Sequence, residues 1–253
     1  VFETCVVRDG APFALSRHLR RLARSAEGLG LVPPSPDVLR EAVTAVLGDR
    51  ERRDDAPLAH GRLRITVTGG AGPLGSDRGD AAPTLVVLVS PVPRPEASTA
   101  VHVVPWVRNE RSAVVGLKTT SYADNVVALA RAHEHGAGEA LFANTRDELC
   151  EGTGSNVVAV LDGTAVTPPL SSGCLAGITR ELLLEWARAD GVAVEERPVA
   201  MAELARAEEL LLTSSTRDVQ PVHRVDDRTL VPGPVGRAPG ELFRRHAAED
   251  LDP

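Results

Sequence analysis

Residues 114–125 read VVGLKTTSYADN and contain the only lysine and the only tyrosine of a chain of 253 residues. The chain has 28 lysine and arginine residues together, so one is Lys118 and the other 27 are arginine. Either residue serves as a solvated surface cation, whereas only a lysine can lose its proton on desolvation and attack a carbonyl carbon. Lys118 is therefore a candidate nucleophile, and a chance escape from the compositional bias is the alternative at this point.

Composition narrows the classes of protein to which the chain can belong. With 43% hydrophobic residues it can bury one large core or two moderate ones. The net charge is -7, and the chain has only two Trp, one Tyr and four Phe. Scattered arginines and few aromatic rings argue against nucleic acid as a partner. No apolar run approaches the ~18 residues that cross a bilayer, and no signal peptide is visible at the start, so we expect a cytoplasmic protein without a membrane span.

The three cysteines show no metal-binding pattern. Cys5, Cys150 and Cys174 are far apart in sequence and odd in number. We expect reduced thiols and no metal ion. The first residue is Val1, which lies inside a predicted strand, so we also expect the true N-terminus to be missing.

The order of predicted elements indicates two domains. A strand, a turn, a second strand and a helix with Ser16 as its N-cap are followed by another helix and two more strands. The proline-rich segment SPVPRPEAST, residues 90–99, is typical of a linker. We place the boundary there and predict an N-terminal α/β domain over 1–93 and a C-terminal domain over 94–253. Strands and helices then mix without a regular βαβ order, which favours an α+β fold.

Three segments of the second half place glycines and hydroxyl residues at the ends of predicted elements. They are CEGTGSN at 150–156, SGCLAGITR at 172–180 and LTSSTRD at 212–218. Gly177, Ile178 and Thr179 open a helix, whose N-terminus suits a phosphate, although an ordinary cap uses the same residues. Glu151 is either a solvated turn residue or a buried acid able to keep a heteroaromatic nitrogen protonated. A single lysine, a phosphate cradle and such an acid are together what pyridoxal 5'-phosphate (PLP) requires.

In sequence order, the motifs RHLRRL, GLKTTSY, CEGTGSNV, CLAGITR and LTSSTRDVQPV resemble those of the class IV aminotransferases. This family of fold-type IV PLP enzymes includes branched-chain and D-amino acid aminotransferases and aminodeoxychorismate lyases. The resemblance runs from VFETCVV almost to the C-terminus and implies a two-domain fold with a smaller N-terminal α/β domain. It also implies a larger, β-barrel-like C-terminal domain that binds PLP, and a homodimer.

The resemblance assigns roles residue by residue. Lys118 would form the Schiff base with PLP, and Glu151 would pair with the pyridine nitrogen. Leu175 would pack on the ring, and Tyr122 would approach the ring hydroxyl or simply begin a helix. The phosphate would be bound by four residues: Arg21, Ile178, Thr179 and Ser215.

The resemblance leaves the reaction open between two activities on a small amino substrate that carries a carboxylate. Thr4 favours an aminodeoxychorismate lyase, which releases pyruvate and 4-aminobenzoate, because similar lyases carry threonine at this strand position. A branched-chain-type aminotransferase is the alternative. A D-amino acid aminotransferase is disfavoured because its carboxylate-binding arginine and histidine would fall near Leu74 and Ser76. A third hypothesis is a cofactor-free binding protein in which Lys118 is incidental.

The substrate carboxylate needs donors near the motif segments. The candidate cations are Arg108, Arg111 and Arg217, and the resemblance adds the backbone at Thr216 and Arg217. The sequence does not rank them.

Overall fold

The computed structural model describes residues 1–74 and 79–253. Ser76, one of the two positions that bear on the D-amino acid branch, lies outside the described residues, whereas Leu74 is exposed. The chain divides into two compact units. The first unit comprises Val1–Arg94, Leu117–Thr120 and Leu251–Pro253, and the second comprises Pro95–Gly116 and Ser121–Asp250. Lys118 therefore belongs to the first unit although it follows the linker in sequence.

The first unit is an antiparallel sheet of four strands with two helices. The strand order is β2-β1-β3-β4, with α1 packed against β1 and α2 against β4. Its core contains Leu22 from α1 and Leu63 and Ile65 from β3. The elements are β1 (Phe2–Arg8), β2 (Ala11–Pro12), α1 (Leu15–Gly28), α2 (Pro36–Asp54), β3 (His60–Thr68) and β4 (Thr84–Pro91).

The start of α1 differs from the prediction. Ala14, with a left-handed φ of 54°, precedes the first helical residue, and Ser16 lies inside the helix. The backbone N–H and the hydroxyl of Ser16 both donate to the carboxylate of Asp252. The prediction of Ser16 as N-cap was wrong because a carboxylate from the far end of the chain satisfies the donors that a local cap would otherwise bind.

The second unit is built on a mixed sheet of nine strands. Its path is β10-β9-β8-β11-β12-β5-β6-β7, with β13 on β12. Parallel pairs, such as β5 with β6, occur beside antiparallel ones, such as β8 with β11. The strands are β5 (Thr99–Arg108), β6 (Glu139–Asn144), β7 (Leu149–Gly152), β8 (Asn156–Leu161), β9 (Thr164–Thr167), β10 (Val194–Glu196), β11 (Glu209–Ser214), β12 (Asp218–Val225) and β13 (Arg228–Thr229).

Four α-helices cover this sheet. They are α3 (Ala123–Glu134), α4 (Ile178–Asp190), α5 (Met201–Leu204) and α6 (Pro234–Glu249), with a short 3-10 helix at Leu170–Ser172. Helix α3 packs on β5 and β6, whereas α4 and α6 pack on each other and on β11. The two-unit α+β fold predicted from the sequence is confirmed by this architecture and by the structural similarities given below.

Neither a membrane span nor a metal-binding cluster is found in the described part of the chain. No helix within residues 1–74 and 79–253 combines the length and apolarity that crossing a bilayer requires. The same residues contain no group of three or more His, Cys, Asp or Glu side chains able to hold a metal ion.

Candidate active site

The backbone of Lys118 is fixed to two elements of the first unit. Its N–H donates to the hydroxyl of Ser25 on α1 at 3.1 Å, and its carbonyl accepts from the N–H of Phe2 on β1 at 3.1 Å. The Nζ atom lies 4.5 Å from the centre of the Phe2 ring, close enough for a cation–π interaction. The lone lysine is thus held against the first residues of the chain.

A buried polar cluster occupies the face of β1 opposite Phe2. The carboxylate of Glu3 accepts from Nε and Nη2 of Arg21 at 2.7 and 2.8 Å. Its Oε2 also lies 2.6 Å from Nδ1 of His18. Glu3 and His18 have no exposed side-chain surface, and Arg21 is only 5% exposed. Arg21, predicted to bind the phosphate, is therefore one member of a pre-arranged cluster that we call the Glu3 cluster (Glu3, His18 and Arg21).

Charge in the Glu3 cluster follows from the competition between burial and pairing. Burial by itself would raise the pKa of Glu3, but the charge and hydrogen bonds of Arg21, helped by His18, hold it well below the usual range of a carboxyl group. Burial lowers the pKa of His18; the charge and hydrogen bond of Glu3 oppose this shift, and Arg21 and Lys118 add to it. His18 is thus neutral, and because Glu3 is ionised, Nδ1 carries the ring proton and donates it.

Thr4 lies on the same face of β1 as Phe2, because strand residues two apart point to one side. Among residues 1–7, Thr4 alone is partly exposed. Its partner in the register of β3 is Arg64, whose guanidinium lies 3.9 Å from the centre of the Phe2 ring. Directly paired strand residues share a face, so the Lys118 amine, Thr4 and a cation lie on one side of this sheet. Sequence reasoning missed Arg64, since the arginines of β3 look alike without the strand register.

In the second unit, both carboxylate oxygens of Glu151 are engaged. Oε2 accepts from the backbone N–H of Leu175 at 2.9 Å. Oε1 lies 3.2 Å from Nε of Arg108, an ion pair outside hydrogen-bond alignment. The guanidinium of Arg108 is 4.0 Å from the centre of the Phe142 ring. Arg108, a candidate for the substrate carboxylate, thus contacts the proposed pyridine-pairing acid, and its role toward the substrate stays a prediction.

The backbone of Leu175 is held at both its polar groups. Its carbonyl accepts from Nδ2 of Asn156 at 2.9 Å, in addition to the bond from its N–H to Glu151. A Cβ added to Gly177 would collide with Oδ1 of Asn156, so any other residue would require the Asn156 side chain or the backbone to move. Asn156 is the last residue of the motif CEGTGSN, and the sequence alone did not predict a role for it. In the structure it fixes the segment that leads into α4.

The start of α4 has the features of an anion site. Ile178 is its first residue, Gly177 precedes it, and the side chain of Thr179 is buried. Thr213 on β11 pairs in register with Asn156, and within the described residues its Oγ1 is buried without a hydrogen-bond partner. Free N–H groups at a helix start, a glycine that leaves room and an unpaired hydroxyl nearby fit a phosphate group.

Ser215, Thr216 and Arg217 follow β11 in a partly buried turn. The guanidinium of Arg217 donates to Gln220 Oε1 at 2.7 Å and to the carbonyl of Gly138 at 3.2 Å, and Nη2 lies 3.5 Å from Glu139 Oε2. Like Arg108, Arg217 already faces a carboxylate. Arg111, the third candidate cation, is exposed.

Glu139 is a second buried carboxylate that sequence reasoning missed. It accepts from the N–H and the hydroxyl of Thr153 and from the hydroxyl of Ser155 at 3.2 Å. Burial raises its pKa, and the charge of Arg217 offsets this only in part. The carboxylate holds the glycine-rich turn between Glu151 and Asn156.

Tyr122 is the residue immediately before α3, and its carbonyl accepts the N–H of Val126 at 3.0 Å. Its placement agrees with a helix-start residue, while a contact to the ring hydroxyl of the cofactor stays a prediction.

Comparisons with known proteins place these residues in a family. The family model "Amino-transferase class IV" matches residues 1–225. The chain is 32% identical to a bifunctional aminodeoxychorismate lyase / D-amino acid transaminase of Mycobacterium tuberculosis, over 96% of this chain and 87% of the relative.

Solved structures give the same result. A hypothetical aminotransferase from M. tuberculosis in a PLP-bound form superposes with a TM-score of 0.85 at 31% identity, over 98% of this chain and 88% of that one. A branched-chain aminotransferase from the archaeon Thermoproteus uzoniensis gives a TM-score of 0.87 at 27% identity, over 97% of this chain and 84% of that one. The predicted resemblance is confirmed: the chain belongs to the class IV aminotransferases, a family of PLP-dependent enzymes.

Proposed function

We propose that this enzyme is a PLP-dependent lyase that converts 4-amino-4-deoxychorismate into 4-aminobenzoate and pyruvate. Membership of the family supports a PLP enzyme in general, and the position of Thr4 supports the lyase in particular. PLP, when bound, supplies an aldehyde that links to amines and a ring that withdraws electrons from the substrate.

Two groups of the first unit would hold the cofactor. Lys118 supplies the amine that binds the aldehyde, and Arg21 supplies a cation for the phosphate. The hydrogen bonds to its N–H and carbonyl fix the backbone of Lys118, so its side chain starts from a constant position. This is the arrangement that a nucleophile also acting as a base requires, since both tasks depend on a short, repeatable approach.

The other proposed contacts with the cofactor follow from the family resemblance. Glu151 pairs with the pyridine nitrogen, and Arg108 places a positive charge 3.2 Å from its Oε1. Leu175 packs on the ring, Ile178 and Thr179 offer donors at the start of α4, and Ser215 adds a hydroxyl. The cradle at Gly177 and the unpaired Thr213 hydroxyl support this assignment. Tyr122 completes the set as a donor to the ring hydroxyl.

Thr4 is the residue that favours the lyase over the aminotransferase. It is the partly exposed residue in an otherwise buried strand segment, and it lies on the face that holds Phe2 and the Lys118 amine. A hydroxyl there can hold a hydrogen bond to the group that leaves the substrate, while Lys118 moves the proton from the carbon that bears the amine. The M. tuberculosis relative, whose name includes the same lyase activity, agrees with this choice.

Arg64 is the proposed donor for a substrate carboxylate. Arg108 and Arg217 each face a carboxylate of the protein already. Arg64 lies on the Thr4 face and is partly buried. An arginine fork binds a carboxylate with two parallel hydrogen bonds, which would orient the substrate. The backbone at Thr216 and Arg217 remains a proposed second contact.

Arg64→Gln should raise KM by about tenfold to a hundredfold, because a charge-assisted hydrogen bond contributes ~1.5–3 kcal/mol. Arg62→Gln is the matched control, two residues away on the same strand and exposed. An unchanged KM in Arg64→Gln would exclude this role.

A branched-chain-type aminotransferase is the second candidate, favoured by the Thermoproteus structure. A paired assay separates the two: one sample receives aminodeoxychorismate and another L-leucine with 2-oxoglutarate. The lyase predicts pyruvate and 4-aminobenzoate in the first sample, and Thr4→Val should abolish most of that signal. Rapid glutamate formation in the second sample without pyruvate in the first would contradict the proposal. We also propose a cytoplasmic homodimer, for which light scattering on purified protein is the test of subunit number.

A further inference from the structure

We propose that Glu3 is a positioning residue for phosphate binding: it fixes the guanidinium of Arg21 in the orientation in which that group meets the cofactor phosphate. The inference rests on the proposed role of Arg21 and deepens it. Glu3 would then contribute to PLP affinity by orienting Arg21, without touching the cofactor itself.

The contacts of Glu3 define one orientation of Arg21. The carboxylate binds Nε and Nη2, which form one edge of the planar guanidinium, at 2.7 and 2.8 Å. Nη1 therefore lies on the other edge, turned away from Glu3. A two-point contact of this kind fixes both the position and the plane of the fork.

His18 fixes Glu3 in turn. Its Nδ1–H donates to Oε2 at 2.6 Å, and the N–H of Thr4 lies 3.3 Å from the same oxygen. Because His18 and Arg21 are one helical turn apart on α1, both contacts tie β1 to the same face of that helix. The carboxylate thus has little freedom to turn, and neither has the guanidinium bound to it.

The energetic cost of this cluster argues against a purely structural purpose. Removing a carboxylate and a guanidinium from water costs several kcal/mol per ion, and apolar residues of similar volume often give equal or greater stability. Glu3 is completely buried and Arg21 is 5% exposed, in a unit that also contains a large apolar core cluster. Retaining a buried ion pair beside the only lysine is expected where the arginine has a task for which its direction matters.

Charge and position predict opposite effects for Glu3. A carboxylate near a phosphate dianion repels it, so that loss of the Glu3 charge would by itself strengthen PLP binding. Loss of orientation would weaken binding, because Arg21 would no longer present its fork along one direction. Shortening the side chain while keeping its charge isolates the second effect.

The test compares the affinities of apoenzyme for PLP and for pyridoxal, which lacks the phosphate, by absorbance titration. Glu3→Asp retains the charge but is one methylene shorter, so it cannot reach Arg21 and His18 with the same geometry. We expect it to weaken PLP binding about tenfold, which corresponds to about 1.4 kcal/mol, and to change pyridoxal binding less than about twofold. When Arg21→Gln is already present, adding Glu3→Asp should leave the PLP-to-pyridoxal ratio, the affinity for PLP divided by that for pyridoxal, unchanged.

Glu209→Asp is the control for shortening a buried carboxylate. Glu209 is 6% exposed and accepts the N–H groups of Gly233 and Gly236 at the start of α6. It should not alter the PLP-to-pyridoxal ratio. Glu3→Gln is the second variant, measured at low temperature if it is less stable, and it should also lower the ratio.

An unchanged ratio in Glu3→Asp, equal losses for both ligands, or tighter PLP binding by Glu3→Gln would overturn the inference. These outcomes differ from failure of the proposed function. If the proposed function itself were wrong, the wild-type protein would bind neither ligand, or Arg21→Gln would leave the PLP-to-pyridoxal ratio at its wild-type value.

Discussion

Glu3 in the first unit and Glu139 in the second are both buried carboxylates, yet their pKa values move in opposite directions. The pKa of Glu3 is lowered because Arg21 binds the carboxylate through two short contacts, which more than offset the effect of burial. The pKa of Glu139 is raised because burial dominates. Arg217 comes no closer than 3.5 Å, and the other donors to Glu139 are neutral. Direct, aligned contact with a cation offsets burial at Glu3, whereas the more distant cation at Glu139 offsets it only in part.

The two units therefore use different interactions to hold their buried acids. The first unit holds a charged pair, whose orientation we link to the cofactor phosphate. The second unit organises its turns with backbone N–H groups, hydroxyls and small residues, so that loss of one contact leaves others in place. The following variants test that contrast.

Glu3→Gln should have the largest effect on stability. It leaves Arg21 buried without a counter-charge, and breaking a buried pair costs about 3–5 kcal/mol. Urea unfolding monitored by circular dichroism would measure the loss. A cost below about 1 kcal/mol would show that Arg21 does not need the Glu3 charge.

The pH dependence of the free energy of unfolding should reflect the lowered pKa of Glu3. Because its folded pKa lies below the unfolded value of about 4.3, its contribution is present above that pH and is lost as the pH falls further. Wild-type protein should therefore lose stability between about pH 5 and pH 2 more steeply than Glu3→Gln. Equal slopes for the two proteins would contradict the lowered pKa.

Gly177→Ala should have an intermediate effect in the second unit. The new Cβ would lie 1.9 Å from Oδ1 of Asn156, so the side chain or the start of α4 must move. We expect a loss of about 1–3 kcal/mol, typical of overpacking, together with weaker PLP binding. Gly154→Ala is the control, because a Cβ there meets nothing within 4 Å.

Glu139→Gln should have the smallest effect. An amide oxygen can accept the bonds from Thr153, and an amide N–H can reach the hydroxyl of Ser155, so little is lost with the charge. The raised pKa means that the Glu139 contribution is greatest at low pH and declines as the pH rises above the unfolded value. Near pH 7 the variant should lie within about 1 kcal/mol of wild type. A loss like that of Glu3→Gln would remove the contrast between the units.

The sequence supports part of the site because some residues are informative on their own. A single lysine among arginines and a glutamate inside a glycine-rich turn stand out without any structure. Glu3 does not, because its partners on α1 are recognised only once the faces of strand and helix are known. The contact of Arg108 with Glu151 could not be predicted for a similar reason: it depends on how β5, β6 and β7 pair.

The fold shows the same limit at α6, which the sequence did not predict. Its first half contains Gly236, Pro239 and Gly240, which oppose a helix locally. Glu209, from a distant strand, accepts the N–H groups at the helix start and offsets that disadvantage. Long-range contacts of this kind leave no mark in the local pattern.

The most direct test of the central claim uses the fact that the chain has one lysine. Purified protein is incubated with PLP, reduced with borohydride to make any lysine linkage permanent, digested and analysed by mass spectrometry. We predict one phosphopyridoxyl group, on the peptide that contains Lys118, and none in Lys118→Ala. An unmodified Lys118 peptide in protein that binds PLP would contradict it.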